Sequence, residues 1–305
     1  MPDRLSREAC EEALDGIVAA FSGAVGLYAR DPDTGEEVAR DADSLYPTAS
    51  VIKLAVLAET LRIAAEEGLD LDRRVEVRGE DIVGGSGVLC EFVPGLMPTI
   101  RDLATLMVVV SDNTATNLLI DLAGGVEAVN RTVRERLGLG GVILHNRIDF
   151  AAIGGEVRRL AEATPRDMAL LVERLADPAT LGADAAAEAM RIMRRQHHLD
   201  QVPRYVEVMP FAKDLGQEER LWAAAKTGFF PGTWVDAGML GFPGGRRVVY
   251  CAMTHASADR AMSSEPEGAV TNGKIGRALV AYWWPEGAGA APLRESAWLR
   301  EAGGQ

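Results

Sequence analysis

The order of strand-like and helix-like segments constrains this chain most. Strand patterns lie towards both ends, and helix patterns fill the middle. Near the start, Leu14, Ile17, Val18 and Phe21 recur at helical spacing and predict an amphipathic first helix. Residues 24–29 read as a strand, Asp31-Pro32-Asp33-Thr34-Gly35 as a turn, and 37–39 as a second strand. Helical patterns follow at 50–67, stopped by Gly68, then at 101–110 and at 113–122, closed by Gly124-Gly125. Another helix opens with Thr164 as cap and Pro165 in its first turn, and a further one covers 185–195. Residues 222–226, 235–241 and 247–254 read as strands, and 271–284 as a last helix. The expected fold class is α+β: an antiparallel sheet flanked by helices, built from both termini, with an inserted all-helical domain. Residues 1–52 and 206–305 would form the α/β domain and 53–205 the insert, with a site at their interface. The tail from Gly287 onward is expected to be loosely held.

Composition narrows the function classes. Lys+Arg number 32 against Asp+Glu 45, a net charge of −13. Phosphate backbones and anionic lipid need basic patches, so nucleic acid and membrane are not expected partners; a small-molecule substrate is. Cys10, Cys90 and Cys251 form no zinc pattern and no disulfide framework, and read as reduced thiols. His145, His197, His198 and His255 lack metal-ligand spacing, and the adjacent His197-His198 pair reads as a surface feature of a helix. No metal or other cofactor is therefore expected. The N-terminus shows no basic segment followed by an apolar run, so as written a cytoplasmic location is expected.

Three short motifs carry the chemistry: Ser50-Val51-Ile52-Lys53, Ser111-Asp112-Asn113 and Lys226-Thr227-Gly228. Ser50 stands at a predicted helix start, and residues three apart share a helix face, so Lys53 lies beside it. A serine hydroxyl is a poor nucleophile until a base takes its proton. Lysine can be that base if burial or nearby positive charge lowers its pKa. Taken singly, each motif also has a structural explanation. Ser50 could cap a helix, Asp112 could cap the helix at Asn113, and Gly228 could end a strand. The conjunction is the signal, because each motif falls where acyl transfer wants it: helix start, interhelical loop, strand end.

With these motifs in this order, the chain resembles class A β-lactamases and the wider group of class-A-like serine hydrolases and penicillin-binding proteins. The likeness includes Tyr46-Pro47-Thr48-Ala49-Ser50, Gly84-Gly85-Ser86-Gly87, Asp102-Leu103-Ala104-Thr105, Asn113-Thr114-Ala115-Thr116-Asn117, Thr164-Pro165 and Asp236-Ala237-Gly238. It implies that Ser50 is the acylated nucleophile, Lys53 a general base and Ser111 a proton shuttle. It further implies that Asn113 positions substrate, that Lys226, Thr227 and Gly228 bind it, and that the N–H groups of Ser50 and Phe229 form the oxyanion hole.

Two departures limit the likeness. Class A enzymes carry a water-activating glutamate in an E-x-x-L-N loop. The corresponding segment here is His145-Asn146-Arg147-Ile148-Asp149-Phe150-Ala151-Ala152, and the register puts Ala152 at the glutamate position. Glu156 or Glu162 would have to substitute as deacylation base, while Asp149 would pair with Arg147. Secondly, Asp236 stands where an arginine usually assists carboxylate binding. The expectation is a serine hydrolase acting on amides or esters through an acyl-serine, with weak or absent β-lactamase turnover. The alternatives are an acyl-trapping sensor, a competent β-lactamase with an unconventional base, and a glutaminase-like amidohydrolase.

Overall fold

The computed structural model describes residues 5–287. The expected loose tail beyond Gly287 lies outside the described residues. Helix α1 (Arg7–Ala20) begins at Ser6, whose hydroxyl accepts the Ala9 N–H, and it buries Cys10 and Leu14. Strands β1 (Ala24–Arg30) and β2 (Glu37–Arg40) form the expected hairpin. After a short β3 (Tyr46–Pro47) the chain enters α2 (Lys53–Glu67), stopped by Gly68 at φ 74 in the left-handed region. Every residue from Lys53 to Leu61 is buried, so α2 runs through the molecule rather than over it.

Helix α3 (Ile100–Val109) opens with a capping box between Thr99 and Asp102. Asp112 caps α4 (Asn113–Leu122) through the Ala115 N–H. The chain continues through α5 (Val126–Arg131), β4 (Val142–Leu144), the single turn α6 (Phe150–Ile153) and β5 (Ala161–Ala163). Thr164 and Pro165 start α7 (Pro165–Ala176), and α8 (Pro178–Leu181) and α9 (Ala183–Met193) follow. Three long strands, β6 (Trp222–Phe230), β7 (Thr233–Gly241) and β8 (Arg247–His255), precede α10 (Glu267–Trp283).

Strands from both ends of the sequence make one antiparallel sheet in the order β2-β1-β8-β7-β6. Side chains alternate across it. Val235, Ala237, Met239, Val249, Cys251 and Met253 face the core shared with α2 and the middle helices. Leu240, Val248, Tyr250 and Ala252 face the core shared with α1 and α10. A second sheet, β3-β5-β4, was not foreseen, because strands of two or three residues carry no readable period. Strand β6 also runs four residues past its expected end. Phe229 stacks on Trp234 across the hairpin at 5.5 Å, which extends the pairing and puts Lys226-Thr227-Gly228 inside the strand. His197 and His198 follow α9 in a loop rather than lying on the helix; His197 is exposed and His198 half-buried.

The helix caps give a direct test of this local logic. Thr99→Ala removes one side of the α3 capping box and should cost about 1 kcal/mol. Urea unfolding should show a lower midpoint with an unchanged slope.

Candidate functional site

Ser50 lies in a single 3-10 turn, Ala49–Ile52, that leads directly into α2 at Lys53. Ala49 holds φ 44, a conformation that costs a non-glycine residue about 1–3 kcal/mol. The surroundings that hold it are visible at Gly228 of the edge strand β6. A methyl group on Gly228 would lie 2.7 Å from Ser50 N and 2.8 Å from Thr48 O. Glycine is thus what lets the strand press against the serine turn. The close approach brings the Ser50 N–H beside the backbone that leads to Phe229.

Lys53 is fully buried. Its Nζ donates to Ser111 O at 2.6 Å and to Asn113 Oδ1 at 2.8 Å, and stands 3.1 Å from Ser111 Oγ. Burial, and then the charge of Lys226, push its pKa well below the usual lysine range. A neutral amine has two hydrogens, which the two carbonyl oxygens satisfy. Its lone pair remains to share a proton with a hydroxyl. Ser111 also sits in the left-handed region, at φ 57. Asp112 fixes this turn from both sides. One carboxylate oxygen accepts from Ala115 N–H at 2.9 Å, and the other from Val88 and Leu89 N–H at 2.7 and 2.8 Å. Asn113 donates from Nδ2 to Gly84 O and from its backbone N–H to Ser86 O. The S-D-N turn therefore serves as cap, loop anchor and lysine cradle at once.

Lys226 is fully buried, its Nζ donating to Thr227 O at 2.5 Å. Burial pushes its pKa down to about 7, opposed by Asp236. Asp236 is equally buried and is pushed up to about 7, again chiefly by burial. It accepts from Val202 N–H at 2.9 Å and Tyr250 Oη–H at 3.3 Å, on the sheet face away from the middle helices. It is thus tied to the structure behind the sheet and does not stand open to repel a ligand. Thr227 is only 2 % exposed. Neither Lys226 nor Thr227 lines the open cleft at Ser50.

That cleft has a volume of about 70 Å³. Ser50, Ser86 and Asn113 form its polar end. Its far wall comes from the 148–160 segment and presents Ile148, Phe150, Ile153, Val157 and Leu160; Phe229 and Phe230 flank the other side. No carboxylate lines it among the described residues. Glu156 is exposed, and Glu162 is engaged by Arg158 and by His145, so the structure brings neither to Ser50. Ala152 is also exposed and does not reach the cleft. The residue held there is Ile148. Its N–H donates to Asn117 Oδ1 at 2.8 Å, and its carbonyl accepts from Asn117 Nδ2 at 2.9 Å. Asn117 lies one helical turn beyond Asn113, and that spacing was the available signal for its role. The expected Arg147–Asp149 pair does not form. Arg147 meets Asp121 at 3.0 Å, and Asp149 caps α6 through the N–H groups of Ala151 and Ala152. A free carboxylate preceding a one-turn helix is drawn to its unpaired donors.

This fold, with a serine turn pressed against the edge strand of an antiparallel sheet, is that of the class A-like β-lactamases and penicillin-binding proteins. A β-lactamase structure from Sphaerobacter thermophilus superposes with a TM-score of 0.78 at 28% identity, covering 90% of this chain and 97% of that one. PBP-A superposes with a TM-score of 0.76 at 25% identity, over 94% and 99% of the two chains. The model described as "Beta-lactamase enzyme family" matches residues 9–283, and the chain belongs to that family. The β-lactamase of Streptomyces albus G is 33% identical over 129 residues, 41% of each chain. β-Lactamase L2 of Stenotrophomonas maltophilia is 30% identical over 181 residues, 59% of this chain and 56% of the relative. The matched stretches thus span about two fifths to three fifths of these curated relatives. No helix among the described residues is long and apolar enough to cross a membrane.

Two outcomes follow from the geometry. Gly228→Ala should displace the strand from the serine turn and slow Ser50 acylation by about 10²-fold, since an ångström of misplacement costs about that much. Lys226→Ala removes a positive charge that depresses the Lys53 pKa. The Lys53 pKa should then rise, and the fall of acylation towards acid pH should begin at higher pH. A pH profile of acylation with a neutral reagent checks the direction.

Proposed function

We propose that this protein is a serine hydrolase that takes an acyl group from an amide or ester, β-lactams included, onto Ser50 and releases it slowly. The observation that carries the reading is the buried Lys53 amine, held by Ser111 and Asn113 beside a serine turn, opposite a cleft wall without a carboxylate. In acylation, Ser50 Oγ attacks the carbonyl carbon and its proton passes to neutral Lys53. The N–H groups of Ser50 and Phe229 hold the oxyanion. The bond to the leaving group then breaks, and Ser111 relays the proton to it. Asn113 positions the acyl group, while buried Lys226 supplies positive charge from beneath the cleft and Gly228 keeps the strand against the serine turn. Hydrolysis restores Ser50 when water attacks the ester carbonyl carbon, the C–Oγ bond breaks, a proton from the water passes to Ser50 Oγ and the acyl group leaves as the acid. A missing general base slows such a step by about 10²–10⁴-fold. The same observation favours a role as a long-lived acyl trap over fast turnover.

A chromogenic cephalosporin, followed by absorbance and intact mass together, tests this. One adduct per chain should form in a burst and persist, and Ser50→Ala should show neither adduct nor burst. An adduct retained in Ser50→Ala would refute the nucleophile, and rapid multiple turnover would refute the slow release. Ile148→Glu should place a carboxylate at the cleft wall and hasten loss of the adduct, by up to about the same 10²–10⁴-fold. Ala152→Glu, on the exposed side of α6, should leave that rate unchanged.

A further inference from the structure

We propose that Gln201 is a positioning residue for the oxyanion hole, holding by its carbonyl end the peptide group that presents the Phe229 N–H. This rests on the acyl-serine reading, with Phe229 N–H as an oxyanion donor, and adds a residue that acts through that donor. Gln201 lies between α9 and β6 and is fully buried. Its Nε2 donates to Gly228 O at 3.3 Å. Gly228 O and Phe229 N–H are the two ends of one planar trans peptide group, so they point in opposite directions. A donor that fixes the carbonyl end therefore fixes the direction of the N–H. It also draws electron density towards the carbonyl oxygen, which leaves the N–H a stronger donor.

The Gln201 amide is itself held. Its Oε1 accepts from Asn272 Nδ2 at 2.9 Å, and Asn272, fully buried on α10, also donates from Nδ2 to Trp234 O at 3.1 Å. The Asn272 side chain, the Gln201 side chain and the Gly228–Phe229 peptide thus run head to tail as amides. Each donation polarises the next group, and a buried, low-dielectric setting strengthens them all. The backbone that carries Gln201 is anchored as well. Gln201 O accepts from Arg204 N–H at 2.9 Å, and the next residue, Val202, donates its N–H to Asp236 Oδ2 at 2.9 Å. A methyl group on Gly276 of α10 would lie 2.0 Å from Val202 O, so this segment is seated directly on the helix. Gly228 is also the residue that presses against the Ser50 turn. The same peptide group therefore sets how the Ser50 and Phe229 N–H groups stand to each other, and α10 supports it through Gln201.

The test compares p-nitrophenyl phenylacetate with its thionoester, in which sulfur replaces the carbonyl oxygen. Acylation forms the Oγ–C bond, breaks the bond to p-nitrophenolate and passes the serine proton to Lys53. Charge develops on oxygen in the ester and on sulfur, a weak hydrogen-bond acceptor, in the thionoester. Gln201→Met keeps the side-chain length and loses the donor. Its ester burst rate at saturation should fall about three- to tenfold, the worth of one hydrogen bond, with the half-saturating concentration unchanged. The thionoester rate should fall by less than about twofold, so the ester-to-thionoester ratio drops. Asn272→Ala removes the donor behind Gln201 and should lower the same ratio by about twofold. An unchanged ester rate in Gln201→Met, or equal losses with both reagents, overturns the proposal and leaves the acyl-serine reading intact, since Ser50 still carries the adduct on peptide mapping. Should Gln201→Met fail to fold by circular dichroism, Asn272→Ala decides, and an unchanged ratio there overturns the proposal. Absence of any Ser50 adduct in the unsubstituted protein with either reagent, or adducts that survive Ser50→Ala, overturns the acyl-serine reading itself.

Discussion

The buried Lys53 amine is the point on which the rest of the structure depends. A lysine with no exposed surface is costly in its charged form, so its surroundings decide what it does. Here two carbonyl oxygens, from Ser111 and Asn113, hold it, and Lys226 adds positive charge nearby. To present those oxygens, Ser111 adopts a left-handed backbone and Asp112 spends its carboxylate on three backbone donors. The nucleophile turn is strained on the other side of the same lysine, at Ala49, and Gly228 leaves room for the sheet to support it. Strain of this kind persists only where packing on all sides over-determines it. The central helix α2, buried along its first nine residues, supplies that packing.

In the proposed reaction, acylation and release depend on different parts of the site. The groups suited to attack are polar, buried and mutually hydrogen-bonded. The wall that water must pass is apolar, and Asn117 clamps the backbone of Ile148 into it from both sides. The carboxylates of that segment are present but engaged elsewhere. Asp149 serves the donors of α6, and Glu162 is taken by Arg158 and His145. In that reading, the hydrogen-bonded Lys53 amine favours the step that forms a bond to Ser50. It gives no comparable help to a water molecule arriving afterwards.

Much of this was legible in the sequence, for identifiable reasons. Helix limits came from caps whose chemistry is local: Asp112, Thr164 with Pro165, and Gly68. The sheet built from both ends followed from segment order. The motif residues were readable because Ser50 and Lys53 lie three apart, and Asn113 opens a helix beside Ser111. The errors fell where local rules compete with tertiary contacts. Counting along the loop pointed to Ala152, whereas the Asn117 clamp selects Ile148. Charge pairing by proximity joined Arg147 to Asp149, whereas Asp121 on a different helix and the donors of α6 took them apart.

The sequence by itself therefore determined the elements, the order in which they form a sheet around helices, and the types of group available for acyl transfer. Those depend on local propensity, periodicity and side-chain chemistry. Tertiary structure alone decided the ionisation of Lys53 and Lys226, the withdrawal of Asp236 behind the sheet, and the apolar character of the cleft. Desolvation and the choice among competing hydrogen-bond partners depend on what other segments bring to the same place.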